Sequence, residues 1–120
     1  DIEEHSAHAA AENAVLNDIA PERYQTFWGN ILDNRDILIR LKACADHGGY
    51  DIIVVNIVAD VIIAMSPLFA GLLAEQGRVF CSGIIDNRRA EVLDAMREQG
   101  FKLQMERQDG GWWAMLFQLD

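Results

Sequence analysis

The chain has 120 residues, 51% of them hydrophobic and 24% charged, enough for one sizeable core and short for two domains. A formal net charge of −9 argues against sequence-independent nucleic-acid binding, which needs Lys and Arg clustered against phosphates, and is compatible with a basic protein partner. The longest apolar region, 52–74, is interrupted by Asn56, Asp60 and Ser66-Pro67 and does not read as a membrane span. Cys44 and Cys81 are far apart, with no CxxC spacing, and read as buried thiols of a cytoplasmic protein. The opening "DIEEH" has no basic-then-apolar leader pattern, and a start at Asp1 without methionine is expected of a piece of something longer.

In chain order, "DI" reads as the stub of a strand. It leads into a helix over "EEHSAHAAAENAVLN", with Ala7, Ala10, Ala11, Ala14 and Val15 on one face. "APER" is a turn, and the aromatic "YQTFWGN" predicts a strand. Asp33 can cap a helix through "NRDILIRLKACAD", which "HGG" ends. "YDIIVVNI" is a short continuous apolar run suited to a strand covered on both faces. "ADVIIAMSPLFAGLLAEQG" predicts helix with a break or fresh start at Ser66-Pro67, because proline is best tolerated in a first turn.

"RVFCSGII" is the next strand, and "DNRRAEVLDAMREQG" an amphipathic helix capped by Asp86 or Asn87, with Ala90, Val92, Leu93 and Met96 inward and Gly100 as its stop. "FKLQMERQ" and "GWWAMLFQL" about "DGG" form a β-hairpin signal, hence an antiparallel end to the sheet. Alternating strands and helices imply one α/β domain over residues 1–120 with a mostly parallel sheet.

In such sheets ligands bind at the carboxyl ends of the strands, which directs attention to Asp1, Asn30 and Asn56. Asp1 could accept both hydroxyls of a ribose, or serve as an acid favourable near a helix N-terminus. Asn30 could reach a base edge, although turn chemistry explains a Gly-Asn pair equally well. Asn56 closes a strand of Ile and Val, where an unpaired amide would be costly to bury. A backbone-satisfied turn amide is the plain explanation; an amide with donor and acceptor aimed into a site is favoured. His5, His8 and Glu12 share a helical face, yet no second ligand pair accompanies them, so a solvated polar face is preferred over a metal site. Trp112 and Trp113 are adjacent in a strand and must point to opposite faces, one of them into the core.

Three stretches together carry a resemblance. "DIEEHSAHAAAENAVLN" resembles the second strand and following helix of class I S-adenosylmethionine-dependent methyltransferases. With "YDIIVVNIVADVII", "GRVFCSGIIDNRRAEVLDAMREQGF" and the late "GGWWA", the chain from Asp1 to about Phe117 resembles the methyltransferases of ribosomal large-subunit protein L-eleven, the PrmA type. That resemblance implies a Rossmann-like sheet of seven strands, the last inserted antiparallel. It implies S-adenosyl-L-methionine as cofactor, with Asp1 at the ribose hydroxyls, Ile2 near the adenine, Asn30 toward the adenine amine, and Asn56 beside the sulfonium and the incoming amine as the catalytic residue.

The activity implied is methylation of amino groups on the ribosomal protein, at lysine side chains and its N-terminus. Asp60 would start the next helix as a cap. No metal, direct nucleic-acid contact or membrane is implied. The family's first strand and glycine-rich loop, and its N-terminal substrate-recognition domain, are absent from this chain. A competing expectation is a non-catalytic α/β remnant that self-associates to cover the missing strand.

Overall fold

The computed structural model describes all residues from Asp1 to Asp120. The chain divides into two compact units, residues 1–41 and 42–120.

In the first unit, helix α1 runs over Glu4–Leu16 and buries Ala7 and Ala14, with Ala10 and Ala11 half-buried; Val15, expected inward, is 70% exposed. The strand expected over "YQTFWGN" does not enter the sheet, although its backbone pairs briefly. The Asp1 amino group donates to the Phe27 carbonyl at 2.9 Å and the Gly29 N–H donates to the Asp1 carbonyl at 2.8 Å. Two such bonds flanking one residue are the pattern of a parallel bridge. The "DI" stub and the aromatic segment thus find each other, in a pairing too short to make a ladder.

Helix α2, Arg35–Cys44, is capped by Asn34 and not by Asp33: the Asn34 Oδ1 accepts the N–H groups of Asp36 and Ile37 at 3.1 and 3.3 Å. That satisfies two of the donors a helix start leaves open. Within this unit the Arg40 guanidinium lies 4.8 Å from the centre of the Phe27 ring, a cation–π contact that ties α2 to the aromatic segment.

The second unit is a four-stranded sheet of order β1-β2-β4-β3. Its strands are β1 (Tyr50–Asn56), β2 (Leu73–Ile85), β3 (Phe101–Asp109) and β4 (Trp112–Leu119). β1 and β2 are parallel, while β4 lies antiparallel between β2 and β3, so the expected hairpin and the expected insertion of the last strand are both present. Gly110 and Gly111, at φ +56° and +84°, form the two-residue turn, a conformation with two successive positive φ angles that favours glycine.

Helices α3 (Ala59–Leu72) and α4 (Arg89–Glu98) cover one face. Ile62 and Phe69 of α3 and Val92 and Met96 of α4 are fully buried against Val79, Cys81, Met115 and Phe117 of the sheet. Ala90, expected inward on α4, is exposed. Cover on both faces of β1 is not found: Val55 is buried, while Ile52 and Val54, which alternate with it onto the opposite face, are 58% and 70% exposed. Of the cysteines, Cys81 is buried, Cys44 is half-buried, and no disulfide joins them. No helix is long and apolar enough to cross a membrane.

The expected break at Ser66-Pro67 does not occur, and α3 runs through it. Pro67 has no N–H for the carbonyl of Ile63, four residues earlier. The hydroxyl of Ser66, itself buried, donates to that carbonyl at 2.8 Å and replaces the missing bond. The helix then ends earlier than expected, with Leu73 already extended. Ser66→Ala is expected to lower the unfolding free energy by about 1–3 kcal/mol, the range for orphaning a buried acceptor. Adding Pro67→Ala should restore most of it by returning a backbone donor. Urea titration of the two variants checks this, and equal losses in both would contradict it.

Burial pushes the Cys81 thiol up to about 12. The thiolate is the reactive form, so Cys81 should resist alkylation in the folded chain at pH 8 and react on unfolding in urea. Mass spectrometry of iodoacetamide-treated protein with and without urea distinguishes the two.

Candidate active site

Asn56 is the last residue of β1 and is exposed; its amide has no hydrogen-bond partner within the chain. The turn or capping role that would have explained it plainly is therefore not realised. It pairs in register with Ser82 of β2, and beyond that pair β2 carries one extra residue relative to β4: Cys81 faces Met115 while Ile84 faces Trp113. This is a β-bulge at Ser82-Gly83, the kind of irregularity that re-aims a strand end.

Gly83 sits at φ +76°, and a Cβ placed there would lie 2.8 Å from Asn56 Oδ1 and 3.2 Å from the Ile57 carbonyl oxygen. The position therefore demands glycine twice, for its backbone angle and for the approach of the amide. Past the bulge, the hairpin end and β2 border an open pocket of about 550 Å³, lined by Ser82, Gly83, Gln108, Asp109, Trp112 and Trp113 among others. Trp113 packs on the core and Trp112 is 55% exposed, the opposite-face arrangement expected of adjacent strand residues.

The pocket wall is fixed from behind. The Trp113 indole N–H donates to Asp86 Oδ1 at 2.5 Å, and Gln108 donates to the same oxygen at 3.3 Å. Arg89 makes a forked pair with the Glu106 carboxylate and stacks 4.7 Å from the Trp113 ring centre. Asp86 thus holds the hairpin, and the expected cap of α4 by Asp86 or Asn87 is not found: the N-cap residue is Arg88, with no side-chain cap bond.

Asp60 likewise makes no cap bond. It lies in the first turn of α3, after an N-cap at Val58, and its carboxylate meets the Arg88 guanidinium. That hydrogen bond and charge hold the Asp60 carboxyl below the usual carboxylate range.

Asp1, Ile2 and Asn30 belong to the first unit. The bridge between Asp1 and Phe27–Gly29 brings the first two beside Asn30, and the Trp28 indole N–H donates to the Ile2 carbonyl at 3.3 Å. One oxygen of the Asp1 carboxylate accepts the Glu3 N–H at 2.9 Å, as a helix-start acid would, and its other oxygen makes no bond in the chain. Asn30 Oδ1 accepts the Leu32 N–H at 3.0 Å, which is turn chemistry, and its amide donors are unspent. Ile2 is 69% exposed. No group of three or more His, Cys, Asp or Glu could hold a metal, and His8 pairs with Glu12 at 3.2 Å.

The pocket residues Ser82, Gln108 and Asp109 and the cationic link at Arg88 had not been singled out from the sequence. The "DGG" turn held part of the signal: a hairpin whose second strand runs antiparallel to β2 places its turn at the carboxyl end of β2, beside the strand tip that carries Asn56.

Gly83→Ala is expected to cost about 1–3 kcal/mol through the positive φ angle, with a further displacement of Asn56. An unchanged urea midpoint would contradict the close approach.

Comparison with known proteins gives a consistent answer. The family description "Ribosomal protein L11 methyltransferase (PrmA)" matches residues 1–120. A ribosomal protein L11 methyltransferase of Heliobacterium modesticaldum is 38% identical over 89% of this chain and 30% of its own length. One of Thermoanaerobacter pseudethanolicus is 37% identical over 97% of this chain and 33% of its own. The chain therefore spans about a third of these relatives. The crystal structure of a ribosomal protein L11 methylase from Lactobacillus delbrueckii subsp. bulgaricus superposes with a TM-score of 0.77 at 28% identity, over 100% of this chain and 56% of that one. A SAM-dependent methyltransferase described as putative, from Streptococcus mutans, shares the fold at TM-score 0.68 and 12% identity, over 99% of this chain and 37% of that one. The family match over residues 1–120, the relatives of 37–38% identity across most of the chain and the shared Rossmann-like α/β arrangement place this chain in the ribosomal protein L11 methyltransferase family.

Proposed function

We propose that the chain is part of a single catalytic domain that transfers a methyl group from S-adenosyl-L-methionine to amino groups of ribosomal protein L11, lysine side chains among them. The observation that carries this reading is the unpartnered Asn56 amide at the strand tip, pressed against Gly83 and next to a pocket large enough for a side chain. The relatives named for this activity support it, as does the compatibility of a −9 charge with a basic substrate protein. Action on a ribosomal protein fits a cytoplasmic location. Neither direct nucleic-acid contact nor a membrane enters the reading.

The residues present suit the cofactor's chemistry. The second oxygen of Asp1 is an acceptor for ribose hydroxyls, Ile2 offers an exposed apolar side chain to a purine, and the amide of Asn30 offers polar contact to its edge. When bound, S-adenosylmethionine supplies an electrophilic methyl group on its sulfonium sulfur. Asn56 does the orienting: Oδ1 accepts a hydrogen bond from the acceptor amine and so directs the nitrogen lone pair. An amine must be neutral to present that lone pair, and loss of water around a lysine as the substrate protein docks lowers its pKa toward that form. Holding the reacting atoms in line is then most of the work, and no dedicated base is required.

Asn56→Ala in the complete polypeptide should reduce transfer of labelled methyl to the ribosomal protein by about a hundredfold, the scale of a lost orienting contact, with the fold intact by circular dichroism. Methylation near the parent rate would contradict the role of Asn56.

One observation favours a second reading, a non-catalytic remnant that self-associates. β1 pairs on one edge only and carries exposed Ile52 and Val54, an arrangement open to strand addition. A concentration-dependent dimer in sedimentation, with no affinity for the cofactor product, would favour that reading over catalysis.

A further inference from the structure

Arg88 occupies a position that helix stability does not explain. It is the N-cap residue of α4, where the helix dipole presents partial positive charge and a cation is unfavourable. Its guanidinium is nevertheless firmly held. Nε and one terminal nitrogen donate to the two oxygens of Glu91, both at 3.0 Å, and that same terminal nitrogen donates to Asp60 Oδ1 at 2.5 Å. The Arg88 side chain is 25% exposed and that of Asp60 78%, so Glu91 fixes the fork and Asp60 comes to it from the surface. An ion pair this open contributes little to folding stability.

What it does is join the start of α3 to the start of α4. Asp60 lies in the first turn of α3, separated from Asn56 by Ile57, Val58 and Ala59, and Arg88 follows the strand whose bulge sets Gly83 against Asn56. No other side-chain hydrogen bond links these two helix starts. We infer that Arg88 is a positioning residue: through Asp60 it holds the Ile57–Ala59 segment, and hence the amide of Asn56, in register with Gly83. The inference deepens the proposed function and rests on it for its catalytic consequence, whereas the ordering of Asn56 stands by itself.

The test reads both. In this chain, the side-chain amide signals of Asn56 in ¹⁵N NMR should shift and broaden in Arg88→Gln and in Asp60→Ala, recover largely in Arg88→Lys, and change no further in the double variant. In the complete polypeptide, kcat should fall about tenfold in each single variant and no further in the double, with KM values for cofactor and acceptor within about twofold, the signature of lost orientation. Unchanged Asn56 signals, or single-variant effects that simply add, would overturn the inference. If the Asn56 signals respond as described while the parent protein transfers no methyl group, the positioning role holds and the proposed function is what fails.

Discussion

The carboxyl end of the sheet is organised by the approach of the Gly83 backbone to the amide of Asn56. β1 and β2 run parallel, so their last residues arrive side by side, and Asn56 is paired with Ser82. A regular strand would continue past that pair with a side chain at residue 83. Here residue 83 is a glycine, which the positive φ angle of the bulge favours, and its missing Cβ leaves room for Asn56 Oδ1, which a Cβ would approach to 2.8 Å. From that contact follow the exposure of an unspent amide at the strand tip and the inward turn of Ile84, which the bulge shifts onto the buried face. The pocket beyond is roofed by the hairpin because β4 lies beside β2 and runs the other way.

Electrostatics then stiffen this arrangement from two sides through the short segment Asp86–Arg89. Arg88 reaches toward the α3 side and meets Asp60, while Arg89 reaches the opposite way to Glu106 and the Trp113 ring. Asp86 holds the Trp113 indole between them. Adjacent arginines of like charge are tolerable there because each faces its own carboxylate. The Arg89–Glu106 pair is forked and half-buried, which makes it the more consequential of the two for packing, whereas the Asp60 pair lies largely in solvent.

The elements with strong periodicity were legible in the sequence. "YDIIVVN", the α4 helix and the "DGG" hairpin needed only hydrophobic patterning and turn chemistry, and the structure has all three. What escaped depended on partners remote in sequence. The break expected at Pro67 is absent because a neighbouring hydroxyl supplies the missing hydrogen bond, a substitution that propensity does not anticipate. Asp33 and Asp86 had good capping chemistry, but Asn34 stands nearer the first turn of α2, and Asp86 is claimed by an indole 27 residues away. "YQTFWGN" has β-favouring residues and finds only a single bridge with Asp1. For the site, Asn56 could be singled out because an amide ending an apolar strand is anomalous. Ser82, Gln108 and Asp109 are ordinary residues in sequence and acquire meaning only from the β2–β4 register.

Asp1, Ile2 and Asn30 of the first unit, and separately Asn56 of the second, are each proposed as a contact of S-adenosyl-L-methionine. Calorimetric titration of the chain with S-adenosylhomocysteine, the demethylated form of that cofactor, addresses this most directly. Saturable binding at micromolar strength, lost in both Asp1→Ala and Asn56→Ala, is the predicted result. A well-folded chain that binds nothing, or binds equally well without either side chain, would contradict it.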